Sequence, residues 1–418
     1  MEVRPGYKQT EVGVIPDEWE ATTIGDVASF SGGSQPPRST FKFAPTNGFI
    51  RLIQIRDYKT DEFATYIPES LARKQCTSAD VMIGRYGPPI FQILRGIDGA
   101  YNVALIKSTP SARIDREYFF NVLKQDSLFQ LIEALSRRSS GQTGVEMPAL
   151  RGFGLPLPPL PEQHAIAGAL SDVDALLGAL DQFIAKTRNL KQAAMQQLLT
   201  GQTRLPGFHG EWEVKRLGDL FTFSGGYSAS RDQLSSEGHC YLHYGDIHKS
   251  SKTFIDVRGE YQDIPKLNIP LKRVSASSLL EDGDVVFVDA SEDDEGTSKH
   301  IVVVNKDKMP FISGLHTIVA KSKTDELAHE YRCYCFQTPA IRQQFLFYAV
   351  GTKVSGISKT NIPKLTLPVP TVPEQTAIAK VLSDMDAELA ALEQGRNKTR
   401  ALKQGMMQEL LTGRTRLV

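Results

Sequence analysis

The residues best suited to chemistry lie in short basic and polar loops. "RRSSGQTG" (137–144) places Arg137 and Arg138 beside Ser140, Gln142 and Thr143, and "VGTKVSGISKTN" (350–361) places Thr352 and Lys353 near Ser355 and Lys359. Guanidinium, ammonium, amide and hydroxyl groups are the donors that meet phosphates and base edges of nucleic acid, and the interspersed glycines allow close backbone approach. Arg85 and Tyr86, at the end of the alternating stretch "DVMIGR", form a further pair of this kind. The competing reading for each loop is an ordinary solvated turn.

Other polar groupings point away from catalysis. The four cysteines (Cys76, Cys240, Cys333, Cys335) are too few and too scattered for a disulfide framework, and Cys333 and Cys335 in "EYRCYCFQTP" lack the second close Cys or His pair that a zinc site needs, so that pair is expected to be buried and apolar. The acidic run "DASEDDEGTSKH" (289–300) lacks calcium-loop spacing and reads as a solvated loop. His239 and His243 flank an expected strand, facing the surface or a nucleic acid. No Ser/His/Asp or Cys/His constellation is recognisable, and no G-x4-G-K-[ST] phosphate loop is present. The string closest to a [DNS]-P-P-[YFW] base-holding loop is Gly87–Pro88–Pro89–Ile90, which lacks both the polar and the aromatic member and reads as a turn.

The elements that must position these loops are announced by a repeat. Leu155 to Leu205 aligns without a gap on Leu367 to Leu417, with roughly two positions in three identical. Each copy begins with Pro-Glu-Gln (Pro161–Gln163, Pro373–Gln375), suited to a helix first turn, and ends in "LLTG", whose Gly201 or Gly413 suits a left-handed C-cap. Apolar residues fall four and three apart at Ile166, Leu170, Val173, Leu177, Leu180 and Ile184, matched by Ile378, Leu382, Met385, Leu389 and Leu392. This is a coiled-coil seam of period about 3.5, resuming less strictly at Leu190, Ala194, Leu198 and Leu402, Met406, Leu410. A helix over 161–199 would be roughly 60 Å long at ~1.5 Å per residue, and two equivalent stripes most simply bury each other about a pseudo-two-fold axis.

The segments ahead of the helices are also related: "EWEATTIGDVASFSGG" (18–33) aligns with "EWEVKRLGDLFTFSGG" (211–226). Beyond them, "FIRLIQIRDYKT" and "YNVALIKS" in the first half, with "CYLHYGDIHKS" and "LHTIVAKS" in the second, read as strands, and 116–138 reads as helical. Pro/Gly-dense junctions at 152–161, 200–212 and 365–373 bound the parts. The expected fold class is mixed α/β (α+β): two globules, at 1–155 and 206–367, separated by repeated helical spacers at 156–205 and 368–418 that form a pair of long coiled-coil helices with pseudo-two-fold symmetry.

The 418 residues suffice for two to four domains, and 48 Lys+Arg balance 48 Asp+Glu. Zero net charge argues against a bluntly basic nucleic-acid binder, so any such contact must come from local patches or partners. No membrane span or signal peptide is visible, and the expected compartment is the cytoplasm.

The order of parts, the "PLPPLPEQ" lead-in to a long helix, the "LLTG" exit followed by "LPGF…EW", and the GD-x4-SGG start of each globule resemble a specificity subunit of a type I restriction-modification system along the whole chain. The resemblance implies two target-recognition domains, each reading half of a split DNA target. It implies that the helices form an antiparallel coiled coil that sets the spacing and docks two modification (methyltransferase) subunits, with restriction subunits as possible further partners and no catalysis by this chain. S-adenosylmethionine, ATP and magnesium then belong to the partner subunits. DNA contacts are expected from Arg85, Tyr86, Arg137, Arg138, Ser140, Gln142 and Thr143 in the first globule, and from Thr352, Lys353, Ser355 and Lys359 in the second. Partner contacts are expected from Asp172, Lys186 and Arg188 and their counterparts Asp384, Lys398 and Arg400. The contrasting reading is a self-contained restriction enzyme or nuclease with fused recognition modules; a third is a helical adaptor with no nucleic-acid role.

Overall fold

The apolar runs "VMIG" and "VVFV" form strands Val81–Gly84 and Val285–Val288, buried at every residue, as expected of interior strands covered on both faces. In the computed structural model, which describes residues 4–417 apart from 88, 137–143, 251, 292–298 and 350–354, they anchor two compact units. One unit comprises Met1–Asp181 with Gln394–Val418, the other Gln182–Glu393.

In the first unit, Val81–Gly84 lies in an antiparallel sheet ordered Ala28–Gly32, Leu105–Pro110, Val81–Gly84, Ile93–Arg95. A second sheet runs Tyr66–Pro68, Phe49–Ile53, Gly99–Tyr101, Gln75–Cys76, and its Phe49–Ile53 and Gly99–Tyr101 strands are parallel. The second unit repeats this plan. Phe221–Gly225, Thr317–Ser322, Val285–Val288 and His300–Val304 form the first sheet, with Phe254–Asp256 added at the edge. His239–Leu242 and Phe311–Ser313 supply the parallel pair of the other. Phe287, Phe336 and Phe345 fill the core beneath its main sheet, with ring centroids 5.1 and 5.6 Å from Phe287.

Three expected elements are subdivided. Residues 116–138 form two helices within their described part, Arg116–Leu123 and Asp126–Ser136, because the chain turns at Lys124–Gln125. "YNVALIKS" divides between two sheets at Asn102, whose Oδ1 accepts the Ala104 amide at 3.1 Å. "FIRLIQIRDYKT" and "CYLHYGDIHKS" each leave their strand through a short helical turn, Ile55–Tyr58 and Tyr244–Lys249. His243 is consequently not a surface group. It is buried, its Nδ1 accepts the Gly245 amide at 3.0 Å, and burial together with nearby Arg231 lowers its pKa.

The repeats are helices Leu160–Leu198 and Val372–Leu410, followed by Gly201 and Gly413 at φ of 72° and 71°. Each helix contributes its first half to one unit and its second half to the other. In the first unit Lys403 Nζ donates to Asp174 at 2.6 Å, and Arg396 lies 3.3 Å from Asp181. In the second, Lys191 pairs with Asp386, and Arg188 with Glu393. Within each unit one residue number rises as its partner's falls, so the pairing is antiparallel. Ile166, Leu170, Ile184, Ile378, Leu382 and Leu389 are buried as their spacing requires. Leu190 and Leu402 are not: they are 54 and 62 % exposed, and Thr187, Lys191 and Lys403 take the inward positions. Leu198 and Leu410 are buried as expected, with Ala194 and Met406 partly buried, so ion pairs from Lys191 and Lys403 interrupt the later seam only beside Leu190 and Leu402.

The Pro-Glu-Gln motif clamps each helix to its globule. Gln163 Oε1 accepts the Asp115 amide at 2.7 Å while its Nε2 donates to Pro158 O and Arg113 O; Gln375 does the same with Ala328, Pro370 and Glu326. Buried Glu162 accepts the Trp19 indole N–H at 2.8 Å and a two-pronged contact from Arg416 at 2.7 and 2.9 Å. Glu374 repeats this with Trp212 at 3.1 Å and Arg204 at 2.5 and 2.7 Å. A planar guanidinium matched to a carboxylate gives such pairs both strength and fixed geometry. These acids do more than face a helix N-terminus: they tie three separate segments of their unit together.

Candidate nucleic-acid interface

Arg85 leaves the Val81–Gly84 strand, with its amide donating to Ala104 O at 2.8 Å and its carbonyl accepting the Val145 amide at 3.2 Å. Its guanidinium lies 5.2 Å from the centre of the Tyr86 ring, and Tyr86 in turn lies against Gly144. The sequence-expected loop residues Arg137, Arg138, Ser140, Gln142 and Thr143 fall outside the described residues. Their flanks do not: Ser136 Oγ donates to Gly144 O at 3.3 Å, so the base of this loop is drawn together beside Arg85 and Tyr86. The flanks of that loop, and not only neighbours in sequence, thus meet Arg85 and Tyr86.

The second unit carries the same suture with different side chains. Asp289 leaves Val285–Val288, its amide donating to His316 O at 3.1 Å and its carbonyl accepting the Ile357 amide at 2.8 Å. Thr352 and Lys353 lie outside the described residues. The backbone of Ser355–Gly356 pairs with Ala290–Ser291, returning the chain to the same strand end. Lys359 is exposed, with its Nζ 3.2 Å from where a side chain on Gly225 would begin.

Charge around this strand end is mixed. Asp289 Oδ1 lies 3.3 Å from His316 Nδ1, and burial raises the Asp289 pKa against the opposing pull of His316 and Lys359. The His316 ring meets Tyr244 edge-on, with centroids 5.4 Å apart. Arg231 Nη2 donates to Asp246 at 2.7 Å nearby. Asp289, His316, Arg231 and Tyr244 carry no local motif; only alignment of the two strand ends finds them.

Asp172, Lys186, Arg188, Asp384, Lys398 and Arg400 are all exposed on the long helices. Arg188 is already engaged with Glu393, and Asp384 with Lys380. The four cysteines are buried and unbridged, and burial pushes the Cys76 thiol up to about 11 and that of Cys333 to about 12. Among the described residues no cluster of His, Cys, Asp or Glu is arranged to hold a metal ion, and no helix is long and apolar enough to cross a membrane. The acidic run lies mostly outside the described residues.

The family model for the type I restriction modification DNA specificity domain matches this chain twice, over residues 16–186 and 209–399. The chain belongs to this family. Each specificity-domain match spans one globule and most of the long helix that follows it. Similar proteins from Methanocaldococcus jannaschii include the specificity subunit of the type I restriction enzyme MjaX, 23% identical with 98% of this chain and 97% of that protein covered. The type I restriction enzyme MjaVIII specificity subunit is also 23% identical, covering 96 and 94%. Among solved structures, the type I restriction-modification S subunit from M. genitalium matches with a TM-score of 0.54 at 14% identity, covering 98% of each chain. A chain from work on complex assembly and conformational transition of the type I R-M system gives 0.56 at 15%, covering 96 and 99%. At these identities the structural matches establish the specificity-subunit fold.

Proposed function

We propose that this chain is the DNA-recognition subunit of a type I restriction-modification complex. One globule, at 1–155, reads one half of a bipartite target and the other, at 206–367, reads the second half. The helical segments at 156–205 and 368–418 set the distance between the half-sites and dock two methyltransferase subunits. The observation that carries the reading is the doubled specificity-domain match, each copy ending a buried strand in the same loop-tethering suture, at Arg85 and at Asp289. Similar helices suit identical partners, while unlike strand ends suit unlike half-sites.

Arg85 and Tyr86, with the 137–143 loop, contact the first half-site; Thr352, Lys353, Ser355 and Lys359 contact the second. Asp172, Lys186, Arg188, Asp384, Lys398 and Arg400 form the docking faces. The chain itself is non-catalytic and cytoplasmic, and S-adenosylmethionine, ATP and magnesium act on the methyltransferase and any restriction subunits. Mapping modified bases in DNA exposed to the assembled complex tests the reading. Two short blocks at a fixed spacing are expected, whereas a single continuous block or no preference would overturn it. Cutting or methylation by the purified chain with magnesium and S-adenosylmethionine would return the self-contained enzyme.

A further inference from the structure

Arg85 and Asp289 occupy one place in two similar globules, yet their charges are opposite. Each follows the interior strand, donates its amide to the residue just before the neighbouring strand, and accepts from the segment leaving the candidate loop. An arginine there suits the acceptor edge of guanine, O6 and N7. A carboxylate has no donor to offer, is repelled by phosphates, and would weaken binding unless it meets a donor on the DNA.

Three features around Asp289 fit such a donor. Its Oδ1 is shielded from solvent and faces His316 Nδ1 at 3.3 Å, while a third of the side chain stays exposed and open to a ligand. His316 stands beside it on left-handed backbone, φ 57°, a conformation that costs on the order of 1 kcal/mol for a residue with a Cβ and recurs where function requires it. Half-exposed and braced edge-on by Tyr244, its imidazole can orient the carboxylate. Exposed Lys359 lies close enough to act on the Asp289 carboxylate and offers a positive charge for a phosphate beside it.

We propose that Asp289, oriented by His316, reads a cytosine in the second half-site by accepting a hydrogen bond from its N4 amino group in the major groove. Cytosine is the base that suits it. Adenine places acceptor N7 beside its amino group and guanine presents two acceptors, both repelled by a carboxylate, while thymine offers O4 and a methyl group. This inference rests on the recognition function proposed above.

The test is target selection from a randomised DNA library by the complete complex with its methyltransferase subunits. Wild type is expected to select C at one second-half position. Asp289→Ala should reduce that selection about ten- to hundredfold while leaving first-half preferences intact. Asp289→Asn, nearly the same in shape, should move the preference toward adenine, whose N6 and N7 an amide can engage together. An intact first-half preference reports a folded complex in each case. Unchanged second-half selection by both variants, or a wild-type second half lacking a selected cytosine, overturns the inference alone. Loss of preference in both halves by the wild-type complex instead counts against the recognition function itself.

Discussion

The two units agree where they hold themselves together and disagree where their loops meet the interior strand. Glu162 with Trp19 and Arg416 reappears as Glu374 with Trp212 and Arg204, and the glutamines of the Pro-Glu-Gln motifs make equivalent contacts. At the strand ends Asp289 stands where Arg85 does, with His316 in the place of Ala104 and Ala290 in that of Tyr86. The contrast teaches that the duplicated residues are those answering to a common demand, packing one kind of helix on one kind of globule. Residues at the strand ends, outside that shared packing, differ even in charge.

The largest effect should come from breaking what is shared. Glu162→Ala and Glu374→Ala each strand a guanidinium and an indole N–H; about 3 kcal/mol should be lost per unit, moderated by the partly exposed arginines. Trp19 and Trp212 are the chain's two tryptophans, so urea unfolding followed by fluorescence of single-tryptophan variants reports each unit separately. Clearly unequal losses would break the equivalence.

The interhelical pairs sharpen the comparison. Asp386 accepts from both Lys191 and the Tyr334 hydroxyl, whereas Asp174 accepts from Lys403. Asp386→Ala should therefore cost about 2 kcal/mol and Asp174→Ala about 1 kcal/mol, checked by denaturant midpoints of the two variants. At the first strand end, Arg85→Ala should lower base discrimination by about 1–2 kcal/mol at one first-half position and leave the second half unaffected, read by competitive binding.

Smaller effects follow outside these contacts. Leu190→Lys and Leu402→Lys should each change stability by less than about 0.5 kcal/mol, because both side chains are exposed. A seam role would instead give a loss several times larger in the melting curve. The smallest difference is in pH response. His243 caps its helical turn in the second unit where Gln54 precedes the equivalent turn in the first. Burial holds the His243 pKa below its ordinary value, so the unfolded chain binds the proton more readily. Its contribution is present above about pH 6.5 and is lost as the pH falls through the lowered value. His243→Gln should flatten that part of the stability profile, followed by Trp212 fluorescence.

Much of this was legible in residue order. A repeat with constant offset, Pro-Glu-Gln starts and glycine exits fixed two long helices, and Ile166, Leu170, Ile378 and Leu382 lie inward as their spacing required. Local order sufficed because a helix brings residues three and four apart onto one face whatever surrounds it. It did not reveal that Lys191 and Lys403 replace Leu190 and Leu402 at the later seam, since burial of a lysine depends on an acid supplied by the opposing helix. Nor did it pick out Asp289. Arg85 and Tyr86 stood out by residue type, but Asp289 is one acid in an acidic run until sheet pairing sets it level with Arg85 and brings His316 beside it. Residue order determined the elements and their duplication. Tertiary structure decided which charges meet, because pairs such as Lys403 with Asp174 and His316 with Asp289 are assembled from helices and strands far apart along the chain.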